Sequence, residues 1–220
     1  MTGASTIPVV HADPWLLAVD KPAGLLTQPG LGLELADSLI SRVQSRWPTA
    51  RLVHRLDRDT SGLLLIALDS DTHRQLSRAF AERQVRKAYL AWVSGTPGRG
   101  GVIEQPLARI GTRPPRYGPV PLACGGKPAL TRWRRLADSG RTGLLLLAPR
   151  TGRSHQLRVH LALLGHPIVG DPIYGAGGEG GLRLHAAGLR LRHPRTGAPL
   201  RLRCPPPWCS TDAPPALLQS

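Results

Sequence analysis

A short cluster of charged residues stands directly before a strongly apolar segment, and it contains the side chains best suited to chemistry. The cluster is His54 to Asp59, and Gly62 to Leu68 follows as a run typical of a buried strand. A carboxylate in that setting is partly desolvated and needs a cationic partner to stay ionised. Asp57 is therefore a candidate nucleophile or general base. A solvated turn is the alternative, because Asp59 to Gly62 has good turn chemistry.

Two later segments form an ordered set with this cluster. The first segment ends in Thr60-Ser61-Gly62, the second is Arg86 to Val93, and the third is Thr151 to His160. They resemble three signatures of the RluA family of RNA pseudouridine synthases: His-Arg-Leu-Asp-x-x-Thr-Ser-Gly, Lys-x-Tyr-x-Ala-x-Val, and Thr-Gly-Arg-Ser-His-Gln-Leu-Arg-Val-His. The matching stretch Gly165 to Asp171 follows, then Tyr174-Gly175, and the resemblance extends from about Trp15 to Trp208.

The resemblance implies an isomerase that converts uridine to pseudouridine without cofactor or metal. It assigns Asp57 as the nucleophilic or electrostatic carboxylate and Arg158 as the arginine that pairs with it. Tyr89 matches the residue that stacks on the target base, and its hydroxyl can serve as a general base. Arg55 matches the residue that fills the gap left when the target base is flipped out of the RNA. His54 and Arg153 lie in the same segments, and we expect them to contact RNA.

The implied fold is α+β, with a mixed, mostly antiparallel central sheet flanked by helices and loops, and with an active-site cleft across the sheet. Residues 1–14 then form an N-terminal extension, residues 15–208 the catalytic domain and residues 209–220 a C-terminal tail. The family often carries an RNA-binding domain before the catalytic one, and this chain resembles the short form without it. The beginning of the chain looks most like the branch that modifies a tRNA anticodon stem-loop and a loop in 23S rRNA.

The charge balance indicates a polyanionic partner. Among 220 residues the chain has 29 Lys and Arg against 14 Asp and Glu, a net charge of +15. No basic amphipathic helix or membrane-length apolar run is evident, so RNA is expected rather than a membrane. The three cysteines, Cys124, Cys204 and Cys209, have neither zinc spacing nor an even count for disulfides. Because no signal peptide is evident, we expect a cytoplasmic protein. We also expect a monomer.

Hydrophobic periodicity predicts the main elements. Predicted strands are 15–19, 63–68, 85–94, 130–137 and 144–148, and predicted helices are 35–46, 70–83 and 154–164. Residues 20–24 read as a turn, 95–101 as a loop, and the Pro- and Gly-rich segment 106–128, which includes Arg109, Arg113, Arg116 and Tyr117, as a long loop that is either functional or disordered.

Strict alternation in the C-terminal part predicts a hairpin. Its leucines, at 189, 191, 200 and 202, are expected to face the core. Its arginines, Arg190, Arg192, Arg201 and Arg203, then line the other face, which suits RNA phosphates and equally suits plain solvation.

Two rival functions fit parts of this pattern. A non-catalytic RNA-binding protein or RNA chaperone would explain the charge but not the intact Asp57, Tyr89 and Arg158. A metal-dependent nuclease would use the carboxylates at 57, 59, 69 and 71, yet these are flanked by turn residues and do not converge with a histidine. The histidines at 155, 160 and 166 lack acidic or thiol ligands at metal spacing, and hydrogen bonds within the fold are expected for His155 and His160.

Overall fold

A computed structural model describes residues 6–112 and 115–208, and contacts divide the chain into two compact units. The first unit is Met1–Val85 with Ala186–Pro206, and the second is Arg86–His185 with Pro207–Ser220. The described elements, in chain order, are β1 (Val9–Ala12), β2 (Leu16–Lys21), α1 (Leu39–Gln44), β3 (Arg51–Leu52), β4 (Ser61–Ala67), α2 (Ser70–Ala81), β5 (Arg86–Ser94), β6 (Gly100–Glu104), β7 (Leu107–Thr112), β8 (Pro115–Pro119), β9 (Leu130–Asp138), β10 (Thr142–Pro149), α3 (Gln156–Leu163), β11 (Leu184–Arg192) and β12 (Pro199–Arg203). The fold class is α+β.

The first unit is an antiparallel sheet with a helix against it. β2 pairs with β1 and β4, and β3 also pairs with β4. Leucines of β2, β4, β11 and β12 meet Leu76 of α2 in one core cluster. α2 begins where the Asp69 side chain accepts hydrogen bonds from the backbone N–H groups of Asp71 and Thr72, at 2.9 and 2.8 Å. β1 lies within the segment expected as an extension, and the proposed domain boundaries stay a prediction.

Gly62 is required at the start of β4, directly after the Asp57 cluster. Its φ is +109°, and a Cβ atom there would lie 2.4 Å from the carbonyl oxygen of Ala186. A side chain would therefore meet both backbone strain and a neighbouring strand. The glycine allows β4 to lie against β11 immediately beyond the charged loop.

The main sheet of the second unit has the strand order β5, β10, β9 and β6, and β7 and β8 form a separate two-stranded sheet. All three pairings in the main sheet are antiparallel. α3 covers one face of this sheet through Leu157 and Leu161, which pack with side chains of β5, β9 and β10. Apolar burial on this face accounts for the helix position, because a helix of eight residues has little stability alone.

The C-terminal hairpin is confirmed. β11 and β12 are antiparallel, with Leu189 opposite Leu202, Arg190 opposite Arg201, and Leu191 opposite Leu200. The leucines contact the first unit's core, and the arginines occupy the other face, where Arg192, Arg201 and Arg203 are exposed.

Several predicted boundaries are wrong. Asp20 and Lys21, predicted in a turn, belong to β2. The first helix begins at Leu39 rather than at residue 35, because Ser38 and Ser41 form a reciprocal capping box at that point. Leu35 instead lies in a short 3-10 turn and is 38% exposed. Leu164 follows the end of α3 and is also exposed, and the loop predicted for 95–101 yields to β6 from Gly100. No helix in the described ranges is long and apolar enough to cross a membrane.

The segment 106–128 is not a structureless loop. β7 and β8 form an antiparallel hairpin with one bulge, in which Pro115 and Pro119 occupy the two ends of β8. Leu107 is buried with Ala129 and Val159 and anchors the base of the hairpin. Prolines at the strand ends remove no hydrogen bond from the middle of the ladder, which explains why a Pro-rich sequence forms strands here. Arg113 and Pro114 lie outside the described residues.

Candidate active site

Asp57 lies in a tight loop immediately before β4. The residue is half-buried, and its carbonyl oxygen accepts a hydrogen bond of 3.2 Å from the backbone N–H of Thr60. This closes a turn over Asp57 to Thr60, two residues earlier than the turn predicted for Asp59 to Gly62, because Ser61 and Gly62 already belong to β4. The loop is therefore both a turn and a site that partly desolvates its carboxylate.

A buried lysine fixes the loop that carries Asp57. Lys21 is fully buried at the end of β2, and its Nζ donates to the carbonyl oxygens of Pro22, Leu25 and Arg58 at 2.9, 2.7 and 2.8 Å. Burial lowers the pKa of Lys21 to about 8, against the opposing effect of the nearby carboxylates of Asp59 and Asp57. The ammonium thus stays largely protonated at neutral pH and places a fixed positive charge near Asp57.

Lys21 was not predicted as a site residue, because the sequence assigns it only to a turn. The one indication in the sequence is its position at the end of an apolar strand, because a lysine is rarely buried unless its charge is paired. A fully buried lysine with three carbonyl acceptors is a structural cation. It belongs to the site as a positioning residue.

Two further contacts hold the same loop from the segment after β2. Gly24 N–H donates to the Arg58 carbonyl at 3.0 Å, and Arg58 Nε donates back to the Gly24 carbonyl at 3.1 Å. The Thr27 hydroxyl donates to the Leu56 carbonyl at 2.7 Å and accepts from Leu56 N–H at 3.3 Å. The backbone on both sides of Asp57 is therefore anchored, which pre-organises the carboxylate.

His54 is held within the fold. Its Nε2 accepts a hydrogen bond of 2.9 Å from Leu65 N–H, and its ring stacks on Phe80 with centroids 4.4 Å apart. An Nε2 atom that accepts a backbone hydrogen bond carries no proton, so this nitrogen does not donate to a phosphate. Arg55, beside it, is exposed.

Tyr89 lies on β5, in the second unit, opposite Leu147 of β10. It is half-buried and packs against the core cluster beneath α3. Lys87, two residues earlier on the strand, donates from Nζ to the Thr151 carbonyl at 2.9 Å, and burial lowers the pKa of Lys87 to about 8. This contact ties the Tyr89 strand to the segment that carries Arg153.

Arg158 and Asp171 form a buried bidentate ion pair. Nε and Nη2 of Arg158 each donate to a carboxylate oxygen at 2.7 Å, and the side chains are only 2% and 0% exposed. Burial alone raises the pKa of Asp171, but the hydrogen bonds from Arg158 and from the N–H groups of Ile173 and Tyr174 outweigh it and lower the pKa. The sequence did not predict Asp171 as a site residue, although it closes the matching stretch after α3.

Tyr174 connects Arg158 to the β7–β8 hairpin. The Arg158 guanidinium lies 5.2 Å from the centroid of the Tyr174 ring. The Tyr174 hydroxyl accepts a hydrogen bond of 2.9 Å from Tyr117 N–H on β8 and is 2.8 Å from Nδ1 of His155. His155 adopts a left-handed φ of +54° at the start of α3. The hairpin is thereby fixed to the helix that carries Arg158.

A buried network of polar side chains connects α3 to Thr131 of β9 and to the backbone of Gln105. Gln156 Nε2 donates a hydrogen bond of 3.0 Å to the Thr131 hydroxyl. The same hydroxyl lies 3.0 Å from Nδ1 of His160, and Nε2 of His160 lies 3.1 Å from the Gln105 carbonyl oxygen. Burial lowers the pKa of His160, so the ring is neutral with its proton on Nε2. The prediction that His155 and His160 hydrogen-bond within the fold is confirmed.

The predicted site residues are distributed over both units. Asp57, Arg55 and the hairpin arginines belong to the first unit, and Tyr89, Arg153 and Arg158 belong to the second. Within its own unit Arg158 pairs with Asp171, and its pairing with Asp57 stays a prediction. Arg153 is half-buried, and its Nε donates to the Pro128 carbonyl at 3.0 Å.

Comparison with known proteins identifies the family. A family model described as RNA pseudouridylate synthase matches residues 15–163, more than half of the chain. The chain belongs to this family. A pseudouridine synthase is an isomerase that acts on RNA, and the α+β fold of this chain is that of the family.

Named relatives are similar to this synthase over nearly its whole length. The chain is 42% identical over 205 residues to the dual-specificity RNA pseudouridine synthase RluA of Yersinia pestis, covering 89% of this chain and 97% of the relative. It is 40% identical over 207 residues to the protein of that name in Escherichia coli (strain K12), covering 90% and 92%. Among solved structures, human RNA Pseudouridylate Synthase Domain Containing 1 matches with a TM-score of 0.79 and 31% identity, covering 95% and 88%.

Proposed function

We propose that this synthase isomerises specific uridines in a tRNA anticodon stem-loop, in 23S rRNA, or in both, within the cytoplasm and as a monomer without cofactor or metal. The observation that carries this proposal is the similarity to dual-specificity enzymes over 97% of the length of one relative. The anchored Asp57 loop supports it independently. A carboxylate held on both sides by backbone contacts and near a buried ammonium suits a reaction that needs an ionised group in a fixed position.

The reaction breaks the bond between the ribose and a uracil ring nitrogen and rejoins the same ring through a carbon atom. A proton leaves that carbon and the freed nitrogen gains one, so no oxidant, reductant or energy source is needed. Asp57 acts on the ring or the sugar, or stabilises a transient sugar cation. Tyr89 supports the flipped base with its ring and accepts the proton with its hydroxyl. Family resemblance supports Arg158 as the cation that keeps Asp57 ionised.

RNA contacts complete the proposal. Arg55 is exposed and lies two residues before Asp57, so its side chain suits the space vacated by the flipped nucleotide. Flipping a nucleotide out of the stack costs a few kcal/mol. Because Nε2 of His54 accepts a backbone hydrogen bond, any RNA contact of that residue would come from the rest of its ring. Arg153 and the arginine face of the β11–β12 hairpin supply further phosphate contacts.

Mapping pseudouridine across total RNA, from cells with and without the gene, tests this function. We expect loss of pseudouridine at a small number of sites in tRNA, 23S rRNA or both. Binding without any pseudouridine formation would indicate the RNA chaperone instead. Strand cleavage that a chelator abolishes and a divalent metal restores would indicate the nuclease.

Replacing Tyr89 with Phe is expected to reduce the rate strongly while leaving affinity nearly unchanged. The substitution keeps the ring that packs on the base and removes only the hydroxyl. Loss of a general base typically costs roughly 10²–10⁴-fold in rate. Single-turnover kinetics at saturating RNA measures this rate, and wild-type rates would show that the hydroxyl is not the base.

Replacing the four hairpin arginines with Gln (Arg190, Arg192, Arg201 and Arg203) is expected to reduce the salt dependence of RNA binding. The slope of log affinity against log salt should fall by roughly 0.7 to 0.9 for each arginine that neutralises a phosphate in the wild type. Every RNA should be weakened about equally, because phosphate contacts carry no sequence information. The melting temperature should hardly change, since the hairpin leucines remain. An unchanged slope would mean that this face is merely solvated.

A further inference from the structure

The sheet of the second unit has a second face that the catalytic proposal does not use. Its covered face packs on α3 and includes Tyr89. On the opposite face of β9, Arg132 and Arg134 are both exposed, whereas Thr131 and Trp133, which alternate with them, are buried against the core. Alternation along a strand therefore separates a buried apolar side from an exposed basic side.

Strand pairing shows what surrounds these arginines. Arg132 lies opposite Val102 of β6 and Ala148 of β10, and Arg134 lies opposite Gly100 and Leu146. Directly opposite residues of an antiparallel pair project from the same face. The arginines are therefore surrounded by small and apolar residues on the same face of the sheet, and Val102 is itself 58% exposed.

β5 adds a third arginine to this face. Leu90 lies opposite Leu146, and Arg86 shares the face of Leu90 because the two residues are four apart on one strand. Arg86 is exposed as well. We call the surface formed by Arg86, Arg132 and Arg134 the outer face. Glu104, opposite Leu130 at the end of β6, is the acidic residue that these pairings place on it.

The guanidinium groups of the outer face are not neutralised by the protein. Within residues 6–112 and 115–208, the side chains of these three arginines form no hydrogen bond or ion pair with another residue. Arg135, by contrast, pairs with Asp138 at 3.3 Å. Arg132 and Arg134 lie on β9 and Arg86 lies on β5, with β10 between the two strands. Exposed arginines distributed over one face of a sheet match a repeating anionic chain better than a small ligand, which needs a pocket.

We propose that the outer face binds backbone phosphates of the substrate RNA, at a segment away from the uridine that reacts. Tyr89 projects from the other face of the same sheet, so an RNA segment on the outer face is not the segment that presents the target base. The contact therefore requires an RNA that is long and structured enough to reach both faces. This inference rests on the proposed function, because it assigns the substrate's flanking region as the occupant.

A triple variant, Arg86→Gln, Arg132→Gln and Arg134→Gln, tests the outer face against a charge-matched control. The control replaces Arg74, Arg78 and Arg195 with Gln. It removes the same charge, but each of these arginines already pairs with Asp71 or Glu82. Both variants are compared with the wild type in binding to an isolated anticodon stem-loop and to a full-length tRNA or a large 23S rRNA fragment, over a series of salt concentrations.

For the long RNA, the outer-face variant should lower the salt slope by roughly 0.7 to 0.9 for each of its arginines that binds a phosphate, and the control should not. Affinity for the isolated stem-loop should be the same in both variants. No change with the long RNA, or an equal reduction with the two RNAs, would overturn the proposal. Loss of binding to polyglutamate with RNA binding intact would overturn it in favour of an acidic protein partner. If the wild type forms no pseudouridine, the proposed function fails, while the salt slope still reports on the outer face.

Discussion

Replacing Asp57 with Asn is expected to abolish pseudouridine formation while RNA affinity stays within a few-fold of the wild type. Asn keeps the shape of the side chain and removes its charge, and the charge is what a nucleophile or an electrostatic stabiliser requires. The backbone anchors from Lys21, Gly24 and Thr27 do not involve the Asp57 carboxylate, so the loop should keep its conformation. Purified protein and single-turnover kinetics measure the effect.

The matched control is Asp59→Asn, two residues further along the same loop. It also removes a carboxylate near Lys21, but the family resemblance assigns it no role in the reaction. The control should therefore retain most of the activity. Substantial pseudouridine formation by Asp57→Asn, or equal reductions in the two variants, would contradict the assignment of Asp57.

Replacing Asp171 with Asn is expected to lower the free energy of unfolding by about 3–5 kcal/mol, as typically found when one partner of a buried ion pair is removed. The substitution leaves the Arg158 guanidinium buried without its carboxylate. Urea denaturation of the full chain measures the change. Asp37→Asn, which breaks the exposed pair with Arg42, should have little effect, and a similar effect of both substitutions would contradict the prediction.

The stability difference at Asp171 should depend on pH in a defined direction. The pKa of Asp171 is lower in the folded protein than in the unfolded chain, so its carboxylate stabilises the fold above the unfolded pKa of about 3.9. The difference in the free energy of unfolding between wild type and Asp171→Asn therefore has its full size at neutral pH. It should shrink as the pH falls through the acid range, because the folded-state carboxyl then becomes protonated.

How much of this fold the sequence predicts depends on how far apart along the chain the interacting residues lie. The β11–β12 hairpin and the buried side of α2 are predictable, because alternation and helical periodicity are local properties. The start of α1 is missed because a Ser38–Ser41 capping box outweighs the apolar Leu35. The β7–β8 hairpin is missed because its stability depends on Leu107 meeting Val159, more than fifty residues further along the chain.

The candidate site divides in the same way. Asp57, Tyr89 and Arg158 are identified by motif, and the motif names residue types without their neighbours. The burial of Lys21 depends on the carbonyl oxygen of Arg58, and the ionisation of Asp171 depends on Arg158. Both contacts join residues that are distant in sequence, so the composition and spacing around either residue do not identify its partner.

The contacts of Lys21 and Lys87 within the fold have a consequence for chemical labelling. Lys21, Lys87 and Lys127 are the only lysines in the chain, and the first two are engaged with backbone carbonyls. Lys127 is exposed and lies opposite Leu107 at the base of the β7–β8 hairpin. An amine-reactive dye should therefore attach at this one side chain, apart from the terminal amine, and would place a reporter beside the hairpin without any engineered cysteine.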